Sequence, residues 1–154
     1  MNLYELLKEL EIYFEEIEHE AVFTVSEAEK LKEQIVGVGC KNLFLKDKRG
    51  NYYLYVLRSD KNADLKGLST ILKVGHLTFA SLEELSIILK LRGGSVTPLG
   101  IIHDREHKTL VILDKELIGN KLLVHPNTNT KTMAILYEDL IRFIEFVGNQ
   151  YVVI

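Results

Sequence analysis

Residues 42–48 and 52–58 are two β-rich runs joined by Asp47-Lys48-Arg49-Gly50-Asn51, and this pairing constrains the fold more than any other feature of the chain. Glycine in so short a link supplies the positive φ that a tight connection needs, so the two runs read as an antiparallel hairpin. Helical and strand periods alternate around it. Leu3, Leu6, Leu7 and Leu10 fall at i, i+3, i+4 and i+7, the stripe of an amphipathic helix. A strand is expected near Tyr13–Glu18. Thr24 with Glu27 forms a candidate capping box for a helix through about Ile35, ended by Gly37 and Gly39. Residues 64–72 read as helical, and Ser81 with Glu84 opens a further helix whose expected buried stripe is Leu82, Leu85, Ile88 and Leu89. Strands are expected near 95–102, 109–114, 121–125, 132–136 and 151–154, with a helix carrying Leu140, Ile141 and Ile144 closed by Gly148.

This order predicts an α+β fold: one domain over residues 1–154, with a central mixed, curved β-sheet surrounded by helices. Several strands are linked by short turns, which disfavours a uniformly parallel, doubly wound sheet. At 154 residues the chain suffices for one sizeable core. No apolar run approaches the ~18 residues of a membrane span, and the N-terminus has no signal-peptide pattern, so a cytoplasmic protein without membrane association is expected. The single cysteine, Cys40, excludes an intramolecular disulfide. Five scattered histidines form no recognisable ligand pattern, so neither a metal site nor a cofactor is expected.

Charge is unevenly placed. Residues 1–33 carry ten acids and three bases, a net of −7, whereas residues 41–73 carry eight bases and three acids, a net of +5. The basic segment suits a phosphate-bearing substrate, with Lys46, Lys48 and Arg49 as candidate contacts to a nucleic-acid backbone. Lys41 opens this segment. An ammonium is a compact charge with three donors and no acceptor, suited to holding a phosphate or the carbonyl of an ester, although its position alone equally describes a solvated surface lysine. Asn42 can cap the preceding loop or orient a substrate. Gly93, Gly94 and Ser95 allow close approach of backbone N–H groups to a ligand, or form a plain turn. His125 can bond substrate or brace the turn at Pro126, and Asn129 and Thr130 can fix that turn. Cys40 is a competing nucleophile, but in an extended chain it and Lys41 point to opposite faces. Thr24, Ser95 and Thr97 offer hydroxyls without a histidine–acid partner at recognisable spacing. Tyr52, Tyr53 and Tyr55 can stack on bases, but alternating aromatics on a hairpin more commonly pack a sheet.

Taken together, His19-Glu20-Ala21-Val22-Phe23-Thr24, Lys41-Asn42-Leu43-Phe44-Leu45-Lys46-Asp47, Gly94-Ser95-Val96-Thr97-Pro98 and His125-Pro126-Asn127-Thr128-Asn129-Thr130 resemble the YbaK/ProX family of trans-editing aminoacyl-tRNA deacylases. The resemblance covers nearly the whole chain and looks most like the ProX branch. It implies a fold shared with the editing insertion of bacterial prolyl-tRNA synthetases. It also implies hydrolysis of mischarged tRNA, chiefly alanine on proline tRNA, by water assisted by the terminal ribose hydroxyl. The implied site has Lys41 as the essential residue in a substrate pocket with Thr24, Asn42, Gly94, Ser95, Thr97, His125 and Asn129. The implied partners are tRNA and prolyl-tRNA synthetase. Two departures stand out: Glu20 and Arg92-Gly93 stand where the family usually has proline. A non-catalytic tRNA- or synthetase-binding module of the same fold is the alternative reading, and a thiol-dependent enzyme using Cys40 is a third.

Overall fold

The computed structural model describes residues 2–21 and 34–154. The expected helix over 24–35, with its capping box and the candidate Thr24, lies for the most part outside the described residues. The first helix, α1 (Leu3–Glu9), is opened by a capping box in which the Asn2 side chain accepts from the Glu5 amide at 2.9 Å and the Glu5 carboxylate accepts from the Asn2 amide at 3.3 Å. Two of its orphan donors are thereby satisfied, and Leu3, Leu6 and Leu7 are directed into the core.

The strands are β1 (Phe14–Glu18), β2 (Val38–Lys46), β3 (Tyr52–Arg58), β4 (Thr78–Phe79), β5 (Thr109–Leu113), β6 (Lys121–Val124), β7 (Lys131–Leu136) and β8 (Tyr151–Val153). They form one sheet in the order β1-β7-β6-β2-β3-β5-β8, with β4 added to β2. The β2–β3, β2–β4, β1–β7 and β6–β7 pairs are antiparallel, while β2–β6, β3–β5 and β5–β8 are parallel. The sheet is therefore mixed, as the element order predicts. The helices after α1 are α2 (Leu65–Leu72), α3 (Leu82–Leu89) and α4 (Tyr137–Val147). No helix among the described residues is long and apolar enough to cross a membrane.

The sheet has two differently covered faces, sorted by the two-residue alternation of its strands. Phe44, Leu54, Val56, Val111, Leu122 and Met133 point into the main core with α1, α3 and α4. Leu45, Tyr53, Tyr55, Leu57 and Ile112 point the other way, into a second cluster closed by Leu68 of α2. On that same side, but at the β1–β7–β6 end, Leu123 and Ala134 pack under Ile35. Tyr53 and Tyr55 are thus sheet-packing residues.

Three expectations are corrected. The stretch near 95–102 is not a strand but two short 3-10 turns, Gly93–Ser95 and Pro98–His103. Pro98 cannot donate to a ladder, and the Leu99 amide donates instead to Thr97 Oγ1 at 3.3 Å. Leu99 and Ile101 are fully buried, so their apolarity looks like that of a strand while their backbone is turned. Leu82 is 71% exposed, because the first helical residue after the Ser81 cap precedes the turn that meets the core; the buried stripe is Leu85, Ile88 and Leu89. Finally, the first run of the hairpin, expected over 42–48, begins at Val38 and ends at Lys46.

A polar node ties the hairpin to α3. Glu84 accepts from Tyr52 Oη and from Lys46 Nζ at 2.9 Å, and its Oε1 also accepts from the Ser81 amide at 3.0 Å. The Tyr52 hydroxyl first, then Lys46 and the Ser81 amide, push the Glu84 carboxyl down to about 2. A lowered folded-state value means that this contribution is complete above the ordinary carboxylate range near ~4.3 and is lost as pH falls toward about 2. Urea midpoints measured from pH 6 down to pH 2 should therefore fall less steeply below ~4.3 for Glu84→Gln than for the parent. Identical acid limbs would remove Glu84 from the account.

Candidate active site

The outer edge of β2 is divided. Its N-terminal end pairs with β6 through Val38–Leu122 and Gly39–Leu123, and its C-terminal end pairs with β4 through Leu45–Phe79 and Lys46–Thr78. The Ala80 amide donates to the Phe44 carbonyl at 3.0 Å and closes the β4 side. Between these contacts, Lys41–Leu43 have no strand partner on that edge among the described residues, while their other edge is paired to β3. Among the described residues, this leaves a slot in the pairing of the sheet. Such splitting beyond the end of a parallel strand is where open sheets commonly place ligands.

Lys41 and Asn42 occupy the middle of the slot and face opposite sides of the sheet. Lys41 shares the side of Leu43 and Leu45, between the cluster under α2 and the cluster around Leu123. It is partly exposed, and no hydrogen bond or ion pair to another described residue engages it. Asn42 points toward the main-core side, and its Oδ1 is buried without a hydrogen-bond partner. The β2–β6 register ends at Gly39–Leu123, and Lys41 and His125 each lie two residues beyond it.

His125 is locked in one tautomer. Its Nδ1 lies 2.8 Å from the Lys131 carbonyl, which can only accept, so Nδ1 carries the proton and Nε2 keeps its lone pair. Burial, with the neighbouring His19 adding to it against the opposing Lys131 bond, depresses the ring's basicity below its ordinary value. His19 stands 6.3 Å away, centroid to centroid. Its Nδ1 donates to the Glu20 carbonyl at 2.7 Å, and its Nε2 accepts from Thr132 Oγ1 at 2.8 Å. The imidazole pair is held by β7 and the turn before it.

The other expected residues divide. The Ser95 hydroxyl donates to the Arg92 carbonyl at 3.1 Å and Thr97 Oγ1 caps the following turn, so both hydroxyls brace their own loop. Gly94 is exposed, and the loop borders α3: a Cβ on Gly93 would stand 3.0 Å from Leu82 Cδ2. No hydrogen bond among the described residues joins this loop to Lys41. Asn129 is half-buried in the β6–β7 turn, which Thr128 and Thr130 close through a 3.1 Å hydroxyl contact. Cys40 lies on the main-core side, opposite Lys41, with its Sγ 3.5 Å from the Val38 carbonyl. Lys46 is held in the Glu84 node, whereas Lys48 and Arg49 are exposed in the turn. Two polar residues escape sequence reasoning: His19, legible only as part of the wider resemblance, and Asn127. Asn127 adopts φ 64° and buries an Oδ1 without a hydrogen-bond partner, which nothing in a turn-forming Asn announces.

Residues 19–143 match the aminoacyl-tRNA editing domain. The chain belongs to that family. It is 40% identical over 147 residues to the prolyl-tRNA editing protein ProX of Acetoanaerobium sticklandii, covering 94% of this chain and 90% of that protein. It is likewise 40% identical over 147 residues to prolyl-tRNA synthetase associated domain-containing protein 1 of Danio rerio, covering 94% of this chain and 80% of the other. A solved structure described as a candidate trans-editing enzyme for prolyl-tRNA synthetase superposes with a TM-score of 0.73 at 22% identity, over 97% of this chain and 94% of that one. This editing domain therefore has the mixed-sheet fold of the trans-editing structures. Its slot is the natural place to seek the chemistry.

The His125 geometry has a direct spectroscopic consequence. An NMR titration should show the neutral ring as the Nδ1–H tautomer, protonating below the ordinary midpoint of ~6.5. A midpoint at or above that value, or the Nε2–H tautomer, would contradict the bond to Lys131.

Proposed function

We propose that this editing domain hydrolyses the ester joining a wrong amino acid, chiefly alanine, to proline tRNA, acting in trans. The observation that carries the reading is that Lys41 stands where β2 has no described strand on its outer edge, two residues past the pairing with the strand that leads into His125, in a member of the aminoacyl-tRNA editing family. The two groups are complementary. An ammonium supplies donors and positive charge for the ester carbonyl, whose oxygen becomes negative as water adds to the carbon. A neutral Nε2 supplies an acceptor, which suits the amino acid's ammonium or the proton of an attacking water.

In the proposed reaction, water adds to the ester carbonyl and the resulting oxyanion is held by Lys41. The carbon–oxygen bond to the ribose then breaks, the ribose oxygen takes a proton, and the free amino acid and tRNA leave. As a cation, Lys41 holds charge rather than removing a proton. Asn42 Oδ1, buried without a partner, is assigned to orienting the ribose or the amino acid, since an unpaired buried acceptor is costly unless a ligand satisfies it. Gly94 contributes loop backbone, and Ser95, Thr97, Asn129 and Thr24 are assigned to the pocket's walls. Selection of alanine over proline rests on excluding the larger ring, because attraction for a single methylene supplies only ~1–3 kcal/mol. The reaction is proposed to need neither metal nor cofactor, and prolyl-tRNA synthetase is a proposed partner.

With chelator present, the protein should deacylate alanyl-tRNA of the proline acceptor much faster than correctly charged prolyl-tRNA. Faster hydrolysis of the prolyl ester, or chelator-sensitive activity restored by metal, would count against the reading. Lys41→Ala should lower the single-turnover rate at saturating enzyme by about 100- to 1000-fold with an unchanged circular dichroism spectrum. Near-parental turnover by folded Lys41→Ala would remove Lys41 from the chemistry, and a parent that bound tRNA without hydrolysing the ester would favour a tRNA-binding module. Cys40→Ala should keep most activity, since its thiol lies on the other face of the sheet from Lys41.

A further inference from the structure

Of the eight bases in residues 41–73, three are already engaged: Lys46 with Glu84, Arg58 with Asp60, and Lys61 with Asp114 and Glu116. Lys48, Arg49 and Lys73 have no acidic partner among the described residues, and all three are exposed. They are brought together. Lys48 and Arg49 from the β2–β3 turn and Lys73, Val74 and Gly75 after α2 line one concavity of about 240 Å³.

Asp47, the acid in this lining, is 6% exposed and its carboxylate is fully occupied. It accepts from the Arg49 amide at 2.9 Å, the Asn51 amide and Asn51 Nδ2 at 3.0 Å each, and Tyr53 Oη at 2.8 Å. Burial alone would favour its neutral form, but these donors outweigh burial and hold the carboxyl below its ordinary range. Its charge fixes the turn from within while the two bases point out. On the other wall, Lys73 is held at φ 58° as the left-handed cap of α2. Both walls are rigid and cationic.

We infer that this cleft binds the phosphate backbone of the tRNA acceptor end while the ester occupies the slot at Lys41. The inference rests on the editing reading for the identity of the nucleic acid. The spacing supports it. β2 runs continuously from Lys41 to Lys46, and at about 3.3 Å per residue the turn lies roughly 20–25 Å from Lys41. A stacked strand rises about 3.4 Å per nucleotide, so the span corresponds to roughly six or seven nucleotides. With the terminal adenosine at Lys41, the cleft meets the backbone beyond the unpaired 3′ end, at the first base pairs of the acceptor stem. β2 thus acts as a ruler between ester and stem, and Lys46, turned to Glu84, is not part of the path.

The test compares two substrates: full-length alanyl-tRNA and the alanyl ester of a CCA trinucleotide, which is too short to reach the cleft. The variant is Lys48→Gln, Arg49→Gln, Lys73→Asn, with Asn chosen because it tolerates the left-handed conformation of Lys73. Its affinity for full-length tRNA should fall about 10- to 100-fold near ~0.1 M salt, and the slope of log K against log salt should become shallower by about 2–3. The kcat/KM advantage of the full-length ester over the short one should shrink by the same factor. The charge-retaining Lys48→Arg, Lys73→Arg protein should keep most of it.

Full-length binding within twofold of the parent, with an unchanged salt slope, would overturn the proposal. So would an equal loss on both esters, which would place the three residues at the slot. Unchanged tRNA affinity with lost binding to prolyl-tRNA synthetase would assign the cleft to a protein partner and equally overturn it. The binding arm is independent of hydrolysis: a parent that hydrolysed neither ester yet bound tRNA through these residues would sink the editing reading and leave the cleft standing.

Discussion

The divided pairing of β2 is the constraint on which the rest of the architecture depends. One edge is fully paired with β3, which fixes the strand's position and alternation. The other edge is shared between β6, arriving parallel, and the two residues of β4, arriving antiparallel. Because these neighbours stop short of one another, the strand stays straight while the sheet beside it opens. The backbone N–H and C=O of Asn42 point to the same edge as the Phe44 carbonyl, hence into the opening. A slot built this way needs no flexible loop to position Lys41. The lysine is placed by the same hydrogen bonds that hold the hairpin together.

Buried or half-buried carboxylates brace the elements around this strand. Glu84 joins α3 to β2 and β3, Asp47 shapes the hairpin turn, and Asp104 accepts from the Lys108 and Thr109 amides and from Asn149 Nδ2. Each satisfies donors that the chain would otherwise leave unpaired at a turn, where no ladder is available. Asn42 and Asn127 are the contrasting case near the slot: each buries an amide oxygen with no donor. An unpaired buried acceptor is costly unless a ligand satisfies it, which is the reason for the role proposed for Asn42. Thr109 and Asn149 also bury unpaired oxygens, but beside the Asp104 node rather than near Lys41.

Sequence periodicity located the elements whose local chemistry and core contacts agree. α1 and α3 announce themselves by a capping box and an apolar stripe, and the hairpin by two β-rich runs around Gly50. The 95–102 segment misleads because Val96, Leu99 and Ile101 pack against the core as strand residues would, while Pro98 forbids the ladder. β4 is invisible for the opposite reason: two exposed residues are too few for a pattern, and they are ordered by pairing with a partner more than thirty residues earlier. The residues of the candidate site were legible through their motifs. Their arrangement was not, because the β2–β6 pairing that leads toward Lys41 and His125 joins residues over eighty positions apart.

The lysines of β2 show how alternation separates roles that composition merges. Lys41 and Lys46 are five residues apart, an odd number, so in one continuous strand they emerge on opposite faces. Lys46 is on the side of α3, where Glu84 is fixed by the Ser81 cap and by Tyr52, whose ring stacks on Phe44 with centroids 5.5 Å apart. Its charge is consumed in holding the hairpin to the helix. Lys41 is on the side of the two smaller apolar clusters, and among the described residues its charge has no such partner. Lys48 lies past the end of the strand, where the alternation no longer applies and the turn aims it outward. One basic run thus supplies a partly exposed charge within the strand, a structural tie and an exposed charge at the turn. The parity of the strand and the point at which it ends decide which lysine does which.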